Sequence, residues 1–220
     1  MEEFFSLGPI QLPTKWIFIG LGFVAAYVAM KLRLKRSVLK EKLLIDSIFN
    51  VVLIGWMVWK LSYVLFHPVY AFTNPLGILY FNGGRKGLIL SLLVGSIYLY
   101  YQSIKHKLKL TVFIDLLLTV LLAASIIFYT YQDQLSFLYH AGQIGLAFFL
   151  LVALFKLVKP VGEWHRLSLL ILIYSLGQFF LQNFSTSYDV LLSFTFGQVI
   201  FFVIIVLTLT FKTKGGETDR

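Results

Sequence analysis

The chain has 220 residues, 59% of them hydrophobic and 13% charged, with a net charge of +9 and a mean hydropathy of +0.84. A soluble core of this size cannot hide so much apolar surface, so lipid is the expected solvent. The basic excess gathers in short segments beside apolar runs, which argues for orientation in a membrane and against nucleic acid. The lack of cysteine excludes disulfides, thiolate metal sites and a cysteine nucleophile.

The first fourteen residues carry Glu2 and Glu3 where a secretory leader has a basic region, so no cleavable signal peptide is expected. The turn Ser6-Leu-Gly-Pro9 then precedes a first apolar run over about 16–31. Further runs follow over about 43–66, 87–102, 109–131, 135–158, 165–184 and 189–211. Each approaches the ~20 residues that a helix needs to cross a bilayer. The longest connection, from His67 to Lys86, holds His67-Pro68, Asn74-Pro75-Leu-Gly77 and Asn82-Gly83-Gly84. Its aromatic residues Tyr70, Phe72, Tyr80 and Phe81, with Phe66 before it, suit the headgroup level of a membrane.

Fifteen of the 19 lysines and arginines fall in alternate gaps, around Lys31 to Lys42, Lys105 to Lys109, Lys156 to Arg166, and after Phe211. Lys15, Arg85 and Lys86 fall on the other side, and Lys60 lies within a run. The positive-inside bias therefore predicts an all-α, polytopic bundle of seven transmembrane helices, amino terminus outside and carboxyl terminus cytoplasmic. Residues 1–220 are read as one transmembrane domain.

Polar groups inside the runs require an explanation, because lipid penalises them. Lys60 is long enough either to reach the interface or to point inward. Asp115 is too short to reach far and is expected to cap, or to bridge to a basic loop residue. Asp46 is expected to pair at the surface with Lys40 and Lys42. His140 and Gln143 share a helical face three residues apart, and His140 is the one candidate for a catalytic base. Tyr174, Gln178 and Gln182 recur every four residues, and Gln198 adds a further amide; such a stripe either fastens helices or lines a headgroup pocket. Asn82-Gly83-Gly84 beside Arg85 and Lys86 has the backbone freedom of an anion-binding nest. No nucleotide, zinc-protease or serine-hydrolase motif is present, and no cofactor or metal is expected.

Taken together these residues resemble prolipoprotein diacylglyceryl transferase. Phe5-Ser-Leu-Gly-Pro-Ile-Gln-Leu12 is similar to that family's F-S-I-G-P start, and Lys60-Leu-Ser-Tyr63-Val-Leu-Phe66 to its G-R-x-G-Y-V-L-F run. His140-x-x-Gln143 resembles its H-P-S-Q motif, and Tyr174 and Gly197-Gln198 match positions in its last two spans. The resemblance implies a seven-span protein of the bacterial cytoplasmic membrane with phosphatidylglycerol as lipid and a lipoprotein as partner. It also implies a lipid-binding set of Lys60, Tyr63, Asn82, Gly83, Gly84, Arg85, Lys86, Gln143, Tyr174, Gln178, Gln182 and Gln198.

Several family groups are replaced. Lys15 stands for a tyrosine, Leu88 for a histidine, Gln178 for an arginine and Gln182 for a glutamate, and the G-R-x-G-N-F-x-N-G-E signature has no counterpart between Ala124 and Asp133. Without those groups a departing phosphate loses its electrostatic stabilisation. The expectation is a catalytically degenerate relative that binds phospholipid or an exported lipoprotein partner. The alternatives are an active transferase with a rearranged site built from Lys60, Arg85, Lys86 and His140, or a small transporter or accessory subunit with Lys60, Asp115 and the glutamine stripe along its path.

Overall fold

The computed structural model describes residues 4–7, 10–35, 37, 39–73, 81–131, 137–184, 189–191 and 194–217. The turn at Gly8-Pro9, the Asn74-Pro75-Leu-Gly77 segment and Asp133 lie outside the described residues. Contacts divide the chain into two compact units, one of Met1–Ser37 with Asp115–Arg220 and one of Val38–Ile114.

The smaller unit is an antiparallel helical hairpin. Helix α2 (Glu41–Phe66) is followed by the short α3 (Pro68–Thr73) and then α4 (Gly84–His106). Proline opens α3, where its missing N–H costs nothing. On α2, Leu44, Ile45, Ile48 and Val51 are buried, and α4 turns Gly87, Gly95 and Leu99 inward. The small residues let the two backbones approach, as membrane helices do when lipid gives no hydrophobic drive to associate. Lys107 ends α4 in the left-handed region (φ 52°), and the Ser103 hydroxyl closes the turn on the Leu108 carbonyl at 2.6 Å.

The larger unit begins with an antiparallel hairpin of β1 (Phe4–Leu7) and β2 (Ile10–Pro13), pairing Phe4 with Pro13 and Leu7 with Ile10. Helix α1 (Thr14–Leu34) follows directly. Then come α5 (Leu110–Tyr131), which joins this unit from Asp115 onward, α6 (Phe137–Leu157) and α7 (Trp164–Leu181). A 3-10 turn (Gln182–Phe184) and a small hairpin of β3 (Asp189–Leu191) and β4 (Phe194–Thr195) lead to α8 (Phe196–Glu217). The core of this unit is apolar: Met30 and Leu34 on α1, Leu116 and Leu122 on α5, Leu150 and Leu154 on α6, and Leu167 on α7 are essentially inaccessible.

Among the described residues, six helices are long and apolar enough to cross a membrane: Ile17–Leu34, Glu41–Phe66, Gly84–His106, Leu110–Tyr131, Phe137–Leu157 and Trp164–Phe184. Large apolar side chains such as Leu53, Trp56, Leu93, Ile97, Phe148 and Phe180 are exposed on them, as a lipid solvent requires. The last predicted run differs. Asp189–Leu191 and Phe194–Thr195 are strands where a run from about 189 was expected to be helical, and the helix begins at Phe196 and continues to Glu217.

The reason is a capping box. The Thr195 hydroxyl accepts the Gln198 N–H at 3.2 Å while the Gln198 side-chain oxygen accepts the Thr195 N–H at 2.8 Å. These two bonds fix the helix start at Phe196.

Candidate functional site

The sequence-predicted site residues fall into both units, each of which has its own arrangement. In the α2–α4 hairpin, Lys60 is half-buried, while Arg85 and Lys86 are exposed in the first turn of α4. Tyr63 stacks against Phe81 with centroids 5.4 Å apart and lies equally close to the His67 ring, and the Lys86 ammonium sits 5.8 Å from the Phe66 ring centre. This end of the hairpin therefore combines cations with aromatic rings.

The Asn82-Gly83-Gly84 turn is tied to α2. The Gly83 N–H donates to the Trp59 carbonyl at 3.0 Å, and the Trp59 indole N–H donates to the Gly84 carbonyl at 3.2 Å. The Gly84 N–H donates to the Asn82 side-chain oxygen at 3.0 Å, with Gly84 in the left-handed region at φ 56°. A Cβ on Gly83 would fall 1.8 Å from the Ser62 hydroxyl and 2.9 Å from the Gly87 backbone. The Gly83 and Gly84 donors are engaged within the hairpin, as in a plain Asn-Gly-Gly turn, and Gly83 leaves room for the close approach of Ser62 and Gly87. What this end offers an anion is side-chain charge from Lys60, Arg85 and Lys86.

In the larger unit, one end of the bundle gathers the other candidates. His140 is half-buried, its ring 6.0 Å from that of Tyr129 and 5.6 Å from that of Tyr139, and Tyr129 and Tyr139 meet edge to face at 5.8 Å. Gln143 and Gln178 are buried and bond reciprocally, with Gln143 Nε2 to Gln178 Oε1 at 2.9 Å and Gln178 Nε2 to Gln143 Oε1 at 2.6 Å. Tyr174 packs edge to face on Phe201 of α8 at 5.9 Å.

Gln182 lies beyond the end of α7, where its side-chain oxygen accepts the Thr195 hydroxyl at 2.5 Å. A Cβ on Gly197 would fall 2.1 Å from the Gln182 amide, so glycine makes room for it. Gln198, besides capping α8, donates to the Phe179 carbonyl and the Asn183 side-chain oxygen. The glutamine stripe is thus split. Gln178 fastens α7 to α6, whereas Gln182 and Gln198 fasten the end of α7 to the start of α8. Gln143 and Gln178 bond each other, Gln182 bonds Thr195, and Gln198 bonds Thr195, Phe179 and Asn183.

At the opposite end of the same unit, Asp115 has a partner that its sequence neighbours do not reveal. The Arg33 guanidinium, in the last turn of α1, grips it with two bonds, Nε to Oδ1 at 3.0 Å and Nη2 to Oδ2 at 2.7 Å. The Gly162 N–H adds a third at 2.8 Å, and the Phe155 ring lies 5.8 Å from the guanidinium carbon. The expected bridge to a basic residue is present. It comes from a helix end, and it is dry: the side chains are 4% and 0% exposed. The Asp115 carboxylate is thus enclosed on every bonded side by Arg33 and Gly162. Asp46 is exposed beside Lys40 and Lys42, and among the described residues no ion pair joins them.

Charge is distributed unevenly through the larger unit. The described residues from Thr119 to Phe155, from Leu167 to Phe184, and from Phe194 to Thr210 contain no Asp, Glu, Lys or Arg. Among the described residues no cluster of His, Asp and Glu is arranged to hold a metal. No protein-family model matches the chain, and no curated protein matches it.

Proposed function

We propose that this chain is a diacylglyceryl-transferase-like protein of a bacterial cytoplasmic membrane that has lost catalysis and binds phospholipid, or an exported lipoprotein, at the Lys60–Lys86 end of its α2–α4 hairpin. The observation that carries this reading is the uncharged interior around Gln143 and Gln178. Expelling a phosphate needs cationic or strong hydrogen-bonding stabilisation where the negative charge develops. The resemblance puts Gln178 in the place of an arginine, and here it is half of a closed amide pair. Lys60, Arg85 and Lys86, set among aromatic rings, suit an acidic headgroup at an interface. In this reading α8, 22 residues long, makes a seventh crossing. The amino terminus is outside, and a reporter fused after Arg220 works only if it is active in the cytoplasm; a reporter active solely outside refutes that orientation.

The chain is expected not to restore lipoprotein modification in cells depleted of an authentic diacylglyceryl transferase, even when well inserted. Restoration would overturn the loss of catalysis and promote a rearranged site using Lys60, Arg85, Lys86 and His140. Lipid binding is checked separately. Lys60→Gln with Arg85→Gln and Lys86→Gln should lower co-purified phosphatidylglycerol by roughly tenfold or more, on the scale set by basic residues at an anionic surface, with little change in thermal stability. Unchanged lipid retention would mean that these cations serve orientation only.

A further inference from the structure

The far end of the same hairpin carries a feature that this reading does not use. A groove of about 460 Å³ opens where the start of α2 meets the end of α4, and its lining includes Lys40, Lys42, Asn50, Gln102 and His106. Lys40, Lys42 and Asn50 are exposed and His106 is half-buried, so cationic and polar residues border the same space. Asp46 is the one acidic residue of the lining, and it stands one helical turn from Lys42 on α2, where opposite charges attract.

Two further properties favour an anion, and a third suits a hydroxyl donor beside it. The groove lies at the amino-terminal end of a 26-residue helix whose Lys40 cap position makes no side-chain capping bond, so backbone donors and the positive end of the helix dipole act there. Lys105, Lys107 and Lys109 extend the basic character along the end of α4 and the turn after it. Gln102 donates through Nε2 to the Tyr98 hydroxyl at 2.7 Å, while its Oε1 is buried with no hydrogen-bond partner. A ligand that brings both a phosphate and a hydroxyl would satisfy the lysines and, after a small rotation of the amide, this acceptor.

We propose that this groove is a second anion site that binds a phosphate ester, carried either by an acidic phospholipid headgroup or by a soluble phosphate. It is separate from the Lys60–Lys86 end and does not depend on the loss of catalysis. The exposed apolar side chains of α4 that lead away from it, Tyr101, Ile97 and Leu93, provide a path for acyl chains in the lipid case.

The test uses the full chain in neutral detergent, titrated with dioleoylphosphatidylglycerol or dioleoylphosphatidylcholine and read by native mass spectrometry, and with inorganic phosphate read by calorimetry. Lys40→Gln with Lys42→Gln and His106→Gln is compared with the triple substitution at Lys60, Arg85 and Lys86. The groove variant should bind one phosphatidylglycerol fewer than the parent, with affinity at that site down roughly tenfold or more, while phosphatidylcholine binding is unchanged. Loss of inorganic phosphate binding in this variant, with phosphatidylglycerol unaffected, would support the site and assign it to a soluble ligand. Parental binding of both probes overturns the proposal. Loss in the groove variant alone, with the Lys60 variant behaving like the parent, leaves the groove standing and refutes headgroup binding at the other end.

Discussion

Asp115→Asn is expected to be the most damaging single substitution in this chain, lowering stability by about 3–5 kcal/mol, the range found when one partner of a buried ion pair is removed. The variant keeps the shape of the side chain but leaves the Arg33 guanidinium, only 4% exposed, without a counter-charge. It also weakens the acceptor for the Gly162 N–H. Arg33→Met should cost less, because the Asp115 carboxylate keeps the bond from the Gly162 N–H. The double variant Arg33→Met with Asp115→Leu should recover most of the loss, short of about 1 kcal/mol for the Gly162 donor left without its acceptor. Resistance to unfolding in a graded detergent series, together with thermal melting, measures all three. An Asp115→Asn protein that melts with the parent would show that the clasp contributes nothing to stability.

Gln143→Leu should lower stability by about 1–3 kcal/mol, because it removes the reciprocal partner of the Gln178 amide and leaves its acceptor unmet in the interior. Gln143→Leu with Gln178→Leu should lie close to the parent, since two apolar groups of similar size replace a closed pair. The coupling energy from this cycle is expected to exceed the ~0.6 kcal/mol average of interhelical hydrogen bonds in membranes, because each single substitution strands a buried amide. Additive single substitutions would mean that the two amides do not form a pair in the membrane. Gln178→Arg should cost about 2.5–3.5 kcal/mol on insertion scales, because α6, α7 and the described part of α5 beyond Asp115 hold no acid to receive the charge. The same absence explains why Gln178→Arg with Gln182→Glu should not restore transferase chemistry. Gln182 stands beyond the helix and is bonded to Thr195, so the two positions do not present a common charged site.

How far the candidate site was legible depended on the range of the forces involved. The first six runs could be located because hydropathy is a local, additive property, and the helices agree with them to within four residues at either end. The seventh run was misplaced at its start because hydropathy cannot distinguish apolar strand residues such as Val190 and Leu191 from helical ones. The local sign that separates them, Thr195-x-x-Gln198, lay in the sequence as a capping signature, but Gln198 was read as an interior amide. Asn82-Gly83-Gly84 shows the opposite limit. Its turn was legible, whereas the Gly83 N–H found the Trp59 carbonyl and the space at Gly83 was set by Ser62, both more than twenty residues earlier.

By itself the sequence determined the membrane-like helices, their approximate limits and the basic character of alternate connections, because each follows from the composition of a short window. It also determined that Asp115 and the glutamines needed partners, since lipid leaves buried polar groups no water to bond. The tertiary structure alone decided who those partners are. Arg33 and Asp115 are 82 residues apart, and Gln143 and Gln178 are 35 apart. Such pairings arise from how whole helices pack, and a hydrogen bond acts only across about 3 Å of space, a distance that separation along the chain does not report.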